Sequence, residues 1–580
     1  MKMYDLTIRN GTVVDGTGSA PRPADVAIAD GKIVAVEPQI TAASTRTIDA
    51  EGSVVTPGFV DCHTHYDGQA TWDPVLEPSA SHGVTTVVMG NCGVGFAPVR
   101  PGSEEWLVQL MEGVEDIPGA ALTEGIDWKW ESFPEYLDCL DSRSYSMDIG
   151  AQIAHGAVRG YVMGDRGARN EPANPEDIAK MREIVREALE AGAMGISTSR
   201  TIAHRAIDGE PVPGTYAAED ELFGLGDALR DAGVGIFELA PNGVMGEDLA
   251  APHKEIDWMC RLSAATGRPV SFALVQVDAA PDLYKEILEI SEQANREGAQ
   301  VYPQVANRPT GVLLGLQTSH AFIGRPSYDA LAHLPLPERV ARMRNPEVKA
   351  AILRETVDFD NQFAEYMGTQ LHRIFVLGNP PDYEPGPERS VAYLAAADGL
   401  DPDDAAIQSK LYDLLLEDEG KALLMFPIVN YSNGNLDAVR SMLLHPAGVF
   451  GLSDGGAHCG SICDASMTTW ALTHWARDRS RGERLPLEMI VKKQTHDTAR
   501  LFGMEDRGTL AVGQRADVNV IDFENLRLQP PQLVTDLPGQ SRRLLQGANG
   551  YDYTICAGEI TREHDEDTGA RPGRLVRAGK

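Results

Sequence analysis

The chain has 580 residues, a formal net charge of −34, a 43% hydrophobic share and a 23% charged share. That balance fits a soluble globular protein of one large domain with an accessory one, or of two to four ordinary domains, and so acidic a chain should repel nucleic acid and anionic membranes. No run of about 20 apolar residues offers a membrane span, no basic start followed by an apolar run offers a signal peptide, and seven scattered cysteines point to a reducing compartment, the cytoplasm by default, rather than to a disulfide framework.

Residues 1–56 read as short strands with turns. Tyr4–Arg9 alternates, Asn10-Gly11 is a hairpin signal, and Ala24–Ile28 and Lys32–Val36 flank Ala29-Asp30-Gly31, a second hairpin. Residues 505–580 have the same character, with Ala516–Asp522 and Tyr551–Ile560 as strands. Neither end buries much alone, so the two are expected to pair into one β-sandwich-like domain. Between them, 57–504 alternates apolar strands with helical stretches, the signature of βα units on a parallel sheet. Candidate strands are 54–62, 84–91, 147–154, 193–198, 233–239, 269–276, 299–305 and 448–453; candidate helices include Pro175–Ala191, Glu219–Ala232, His253–Thr266 and Leu283–Glu297. Eight strands predict an α/β chain with a (β/α)8 TIM-like barrel. The stretch 307–447 is too long for a connection, contains helical pieces at 347–367 and 405–420, and reads as a lid-like insertion on the active-site face.

Chemistry concentrates at the predicted strand ends. His63 and His65 alternate with one residue between them, so on a strand they share a face about 7 Å apart, and imidazole is the commonest metal ligand. At the second strand end, Gly90-Asn91-Cys92-Gly93 places a thiol among glycines, and a nearby metal would ionise it. At the eighth, Ser453-Asp454-Gly455-Gly456-Ala457-His458 presents a carboxylate able to bind metal and to take a proton, followed by an imidazole. Cys459 and Cys463 lack a partner pair at finger spacing and read as structural.

These motifs, with Tyr4-Asp5-Leu6-Thr7-Ile8-Arg9-Asn10-Gly11-Thr12-Val13-Val14-Asp15-Gly16, Pro57-Gly58-Phe59-Val60-Asp61-Cys62-His63-Thr64-His65 and Ala516-Asp517, resemble the metal-dependent amidohydrolase superfamily and, within it, the N-acyl-D-amino-acid deacylase (D-aminoacylase) group. The resemblance spans nearly the whole chain in order and implies a (β/α)8 barrel with a β-sandwich from both termini. It implies His63, His65, Cys92 and Asp454 as metal ligands, Asp454 also as general base and acid. The family's fifth and sixth strands each end in a metal-binding histidine. Here they read Gly235–Asn242 and Val270–Val277, without histidine, so one zinc ion is expected rather than two. Glu238 could substitute as an oxygen ligand.

His155, at the third strand end, could polarise the substrate carbonyl or join the metal. Arg200 and His204 follow the fourth strand, where a guanidinium could grip a carboxylate in bidentate fashion. Arg159, Arg308, Tyr161 and His458 are further candidates for substrate contact, Tyr161 as an oxyanion donor. The resulting expectation is a small-molecule hydrolase of a linear amide, with N-acyl-D-amino acids as the substrates the resemblance implies; a homo-oligomer is compatible with it. The alternatives are a same-fold hydrolase of a cyclic amide, lactone or ester, and an inactive barrel kept for binding.

Overall fold

The computed structural model describes residues 3–357, 362–399 and 403–579. Both chain ends contribute to one β region. One sheet runs in the order Lys32–Glu37, Asp25–Ala29, Tyr4–Arg9, Ser44–Asp49. In the other, Val54–Pro57 pairs antiparallel with Val518–Ile521, which pairs with Tyr551–Cys556. Leu6, Ile8, Val26 and Ile28 from the first sheet pack with Val55, Val518, Val520 and Ile555 from the second.

The Asp30-Gly31 turn is a two-residue hairpin, with Ala29 opposite Lys32 and φ of 53° and 70° at its centre, the mirror-image turn that matches strand twist. Asn10-Gly11 is not a hairpin. Tyr4–Arg9 and Thr12–Val13 lie in different sheets, and the chain crosses between them where a Cβ on Gly11 would stand 2.5 Å from Val55 Cγ2.

The centre of the chain is α/β. Phe59–Asp61, Val84–Met89 and Asp148–Ala151 form one parallel sheet. Ile153–Ala154, Gly195–Ser199, Ile236–Ala240, Val270–Ala273, Val301–Val305 and Val449–Phe450 form a second, also parallel. Their residues are almost all buried, as expected of parallel strands covered on both faces. Two predicted strands are divided. The run 54–62 breaks at Gly58, where a Cβ would meet Thr85 Oγ1 at 2.2 Å, so its first half joins the end sheet. The run 147–154 breaks at Gln152, its halves pairing with different sheets. At their other edges the two sheets meet through a parallel bridge between Thr64 and Gly455.

The helices Pro175–Ala191, Glu219–Ala232, Ala251–Thr266 and Leu283–Arg296 separate successive strands, close to their expected limits. The first begins with a capping box of Asn174 and Asp177, has Pro175 in its first turn and stops at Gly192. Within 307–447, Gly311–Leu314, Leu424–Pro427 and Phe375–Val376 form an antiparallel sheet over its own core of Val312, Phe322, Ile352, Leu411 and Phe426. Helical pieces occur at Pro346–Arg354, Gln362–Thr369 and Asp404–Leu415; positions 358–361 of the 347–367 expectation lie outside the described residues. Asn430 exchanges bonds with the backbone of Gln276, just past the sixth strand, and Leu313 N donates to Ser461 O, past the eighth. The insertion is thus bonded to the segments just past the sixth and eighth strands. Among the described residues no helix is long and apolar enough to cross a membrane.

Candidate metal centre

His63 and His65 lie just beyond the first strand, buried to 1% exposure, with ring centroids 5.4 Å apart. Their backbone is clamped to the eighth-strand loop: Asp454 N donates to His63 O and His65 N to Gly455 O. The thiol arrives from a tight turn. Gly90, Cys92 and Gly93 have φ of 82°, 56° and 70°, and a Cβ on Gly90 or Gly93 would collide with the backbone of Gln152 or Ser199, so glycine is required on both sides. Cys92 N donates to Glu238 Oε2.

The ligand atoms of His63, His65 and Cys92 all lie within 4.8 Å of one another. His63 Nε2 stands 3.4 Å from Cys92 Sγ and 3.3 Å from Asp454 Oδ1. His65 Nε2 stands 3.6 Å from the same Oδ1 and 3.4 Å from Glu115 Oε2. With zinc bonds of about 2.0–2.3 Å, tetrahedral ligand atoms lie about 3.3–3.6 Å from one another, so each of these four pairs has the spacing of neighbouring ligands on one ion. Both ring nitrogens of His65, Glu115 Oε1 and Glu238 Oε1 are buried without a hydrogen-bond partner, as donors built for a cation would be.

The tautomer of His63 is set from behind. Ser271 Oγ donates to Tyr302 O and accepts from Gln304 Nε2, so Gln304 Oε1 faces His63 Nδ1 at 2.6 Å and accepts its proton. That leaves the Nε2 lone pair on the cluster side. Glu238 also lies on the Nδ1 side of His63, with Oε1 3.7 Å away.

Burial pushes His63 down to about 4 and also lowers His65. Burial raises the Cys92 thiol, and the Glu115, Glu238 and Asp454 carboxylates raise it further. Glu115 is raised well above the carboxylate range by burial and then by Asp454, and burial lifts Glu238 to about 8. Asp454 is the exception: burial opposes its ionisation, but His65, His63 and His458 outweigh that and hold it well below the usual range. Among the described residues no lysine or arginine pairs with these acids. A thiol and several acids crowded around neutral imidazoles fit a divalent cation, which would favour their ionised forms.

The other predicted residues fall in different places. His458 Nε2 lies 3.9 Å from Asp454 Oδ2 and 3.8 Å from Glu115 Oε2, beside the cluster. His204 is held by Ser199 Oγ at 3.0 Å and faces the same groups; burial, then His458 and His65, lowers it to about 4. His155 is engaged at both ring nitrogens, by Thr198 Oγ1 and Glu221 Oε1, and Arg159 pairs with the same glutamate. Arg200 is occupied by Glu255 and two carbonyls. Arg308 pairs with Asp464 and stacks 3.6 Å over Tyr383. Tyr161 bonds Glu131 near the surface. All seven cysteines are free thiols.

Two residues were not anticipated, Glu115 and Gln304. Leu107, Met111 and Glu115 are spaced by four on the helix Glu104–Glu115 and all are buried, so an acid ending an apolar stripe was the readable signal. Gln304 is a buried amide within the strand Val301–Val305, a polar residue where the pattern calls for an apolar one.

The amidohydrolase family model matches residues 46–562. D-aminoacylase of Alcaligenes xylosoxydans xylosoxydans is 27% identical over 527 residues, covering 90% of this chain and 88% of that one. N-acyl-D-glutamate deacylase of the same organism is 28% identical over 530 residues, with the same coverage. The solved structure of N-acyl-D-glutamate deacylase from Bordetella bronchiseptica, complexed with zinc and a phosphonate mimic of the tetrahedral intermediate, superposes with a TM-score of 0.65 at 22% identity over all of both chains, and so shares the fold. The chain is an enzyme of the amidohydrolase family and belongs to its D-aminoacylase-like group.

Proposed function

We propose that this chain is a zinc-dependent hydrolase that cleaves the C–N bond of a linear amide, with N-acyl-D-amino acids as its substrate class. The observation that carries the reading is the convergence of His63, His65 and Cys92, whose ligand atoms lie within 4.8 Å of one another, with Asp454 Oδ1 set against both Nε2 atoms. The names of its relatives supply the substrate class. In this reading the two parallel sheets are one (β/α)8 barrel over 57–504, residues 1–56 and 505–580 form a β-sandwich, and 307–447 is a lid over the strand ends.

One zinc ion would be held by His63, His65, Cys92 and Asp454. When bound, it supplies Lewis acidity and a water nucleophile at neutral pH. Asp454 is ionised and half-turned to solvent, its side chain 18% exposed. Its Oδ1 lies between the two Nε2 atoms, while Oδ2 points toward His458. Oδ2 takes the proton of the attacking water and returns it to the leaving amine. Gln304 keeps the His63 proton on Nδ1. His458 and His204 line the open side and contact the substrate. His155 and Arg159, joined through Glu221, and Arg200, joined to Glu255, buttress the wall.

Metal analysis of purified protein, chelation, and a comparison of acyl-D with acyl-L amino acids test this. Bound zinc, loss of turnover with chelator and preference for the D series are expected. Absence of metal dependence would overturn the mechanism, and equal D and L rates the substrate class.

A further inference from the structure

The fifth and sixth strands bring no histidine to the cluster, and Glu238, the acid of the fifth, comes nearest to His63 at Nδ1, with Oε1 3.7 Å away. A different acid occupies the free side of His65. We propose that Glu115 is an oxygen ligand of the metal centre, delivered by the helix between the second and third strands rather than by a strand end; this rests on the metal-dependent reading above.

Three observations meet here. Glu115 Oε2 stands 3.4 Å from His65 Nε2, the spacing of two atoms on one zinc. Glu115 is 2% exposed, its Oε1 has no hydrogen-bond partner and neither ring nitrogen of His65 has one, so beside the Oε2–Nε2 approach both side chains keep buried electron-pair donors that an ion would satisfy. Finally, the helix end is latched to the loop that carries Asp454. His458 N donates to Glu115 O and Cys459 N to Asp116 O, while Gly460 N and Ser461 Oγ bond Asp116 Oδ2. Asp116 takes a left-handed conformation that ends the helix there, which holds the glutamate at a fixed depth.

The alternative is an acid that merely orients His65 through a hydrogen bond. Glu115→Gln separates the two, because the amide keeps shape and hydrogen bonding but gives up the anionic ligand. The probe is Co2+ titrated into the full chain, followed by its visible d–d and sulfur-to-metal bands. Glu115→Gln should weaken Co2+ binding by about ten-fold or more and shift the d–d band, with the thiolate band of Cys92 retained. Unchanged affinity and an unchanged spectrum would overturn the proposal. Should the variant fail to fold, anomalous diffraction from zinc-loaded wild type decides. A Glu115 oxygen within about 2.2 Å of the ion supports the assignment, and a separation beyond 3 Å, about an ångström past any zinc–oxygen bond, refutes it. Failure of the wild type to take up Co2+ or zinc would remove the metal-dependent reading itself, a separate outcome.

Discussion

Replacing Gln304 by leucine should weaken zinc binding by about ten- to hundred-fold while leaving the fold intact. In the wild type the relay from Tyr302 O through Ser271 Oγ and Gln304 to His63 Nδ1 leaves one arrangement of protons, and the 2.6 Å contact at its end keeps Nε2 free. Leucine is of similar bulk but accepts nothing. Glu238 Oε1, the other acceptor on that side, is 3.7 Å from Nδ1, beyond hydrogen-bond reach. A buried donor left without a partner costs about 1–3 kcal/mol, and each 1.4 kcal/mol is a factor of about ten in affinity. The loss falls on binding because the competing tautomer, with its proton on Nε2, is no longer penalised. Ser271 keeps its bond to Tyr302 O, so the strands should hold. Competition against a chromophoric chelator measures the affinity, and circular dichroism of the apoprotein checks the fold. Gln304→Glu, which retains an acceptor in the same place, should stay within a few-fold of wild type. A leucine variant that binds zinc within two-fold of wild type (a change below about 0.5 kcal/mol) would refute the reasoning.

Gly451→Ala should act in the same direction, because its Cβ would stand 2.7 Å from Gln304 Oε1 and push the amide from the histidine; unchanged zinc affinity would count against that. Asp454→Asn should retain metal through the remaining ligands but lose turnover by about 10²–10⁴-fold, and full activity would remove the base assignment. The buried acids of the apoprotein should cost it stability as pH rises from about 4 to about 8. Glu238, at about 8, and Asp61 and Asp67, at about 7, are raised by burial above their unfolded values of about 4, so their contribution is fully present below about 4 and is lost up to their folded values, because the unfolded chain ionises first. Zinc favours the ionised forms, so the loaded protein should be much flatter over that window. Parallel melting curves for both forms would contradict the charge balance. Below about 6.5 the sign reverses for His63, lowered to about 4, whose protonation destabilises the fold as pH falls.

The legible part of the molecule was the part set by local pattern. The apolar runs marked the parallel strands, and the helix expected at Pro175–Ala191 has those limits in the structure. The strand-end residues His63, Cys92 and Asp454 stood out because polar groups interrupt those runs. What could not be read was set by crossings between distant segments. The Gly58 and Gln152 breaks come from close approaches to Thr85 and from a change of pairing partner, and neither is written in the run itself. Arg200 and Arg159 looked available for a substrate carboxylate until Glu255 and Glu221 proved to occupy them, partners dozens of residues away.

The same limit explains the centre's backbone. Cys92, Leu452, Asp454 and His458 all have positive φ, from 48° to 59°, which costs a non-glycine residue about 1–3 kcal/mol. No propensity anticipates that conformation at a cysteine or a leucine, whereas aspartate and histidine adopt it more readily than most residues. It persists because each of the three polar residues is clamped by another element: Cys92 N by Glu238, Asp454 N by His63 O, and His458 N by Glu115 O. Those clamps join the first, second, fifth and eighth strand ends and the helix Glu104–Glu115 at one point. The strain therefore sits where the ligands sit, and the bonds that hold the strain are the ones that set ligand spacing. A substitution that relaxes one clamp should be felt as lost metal affinity before it is felt as lost fold.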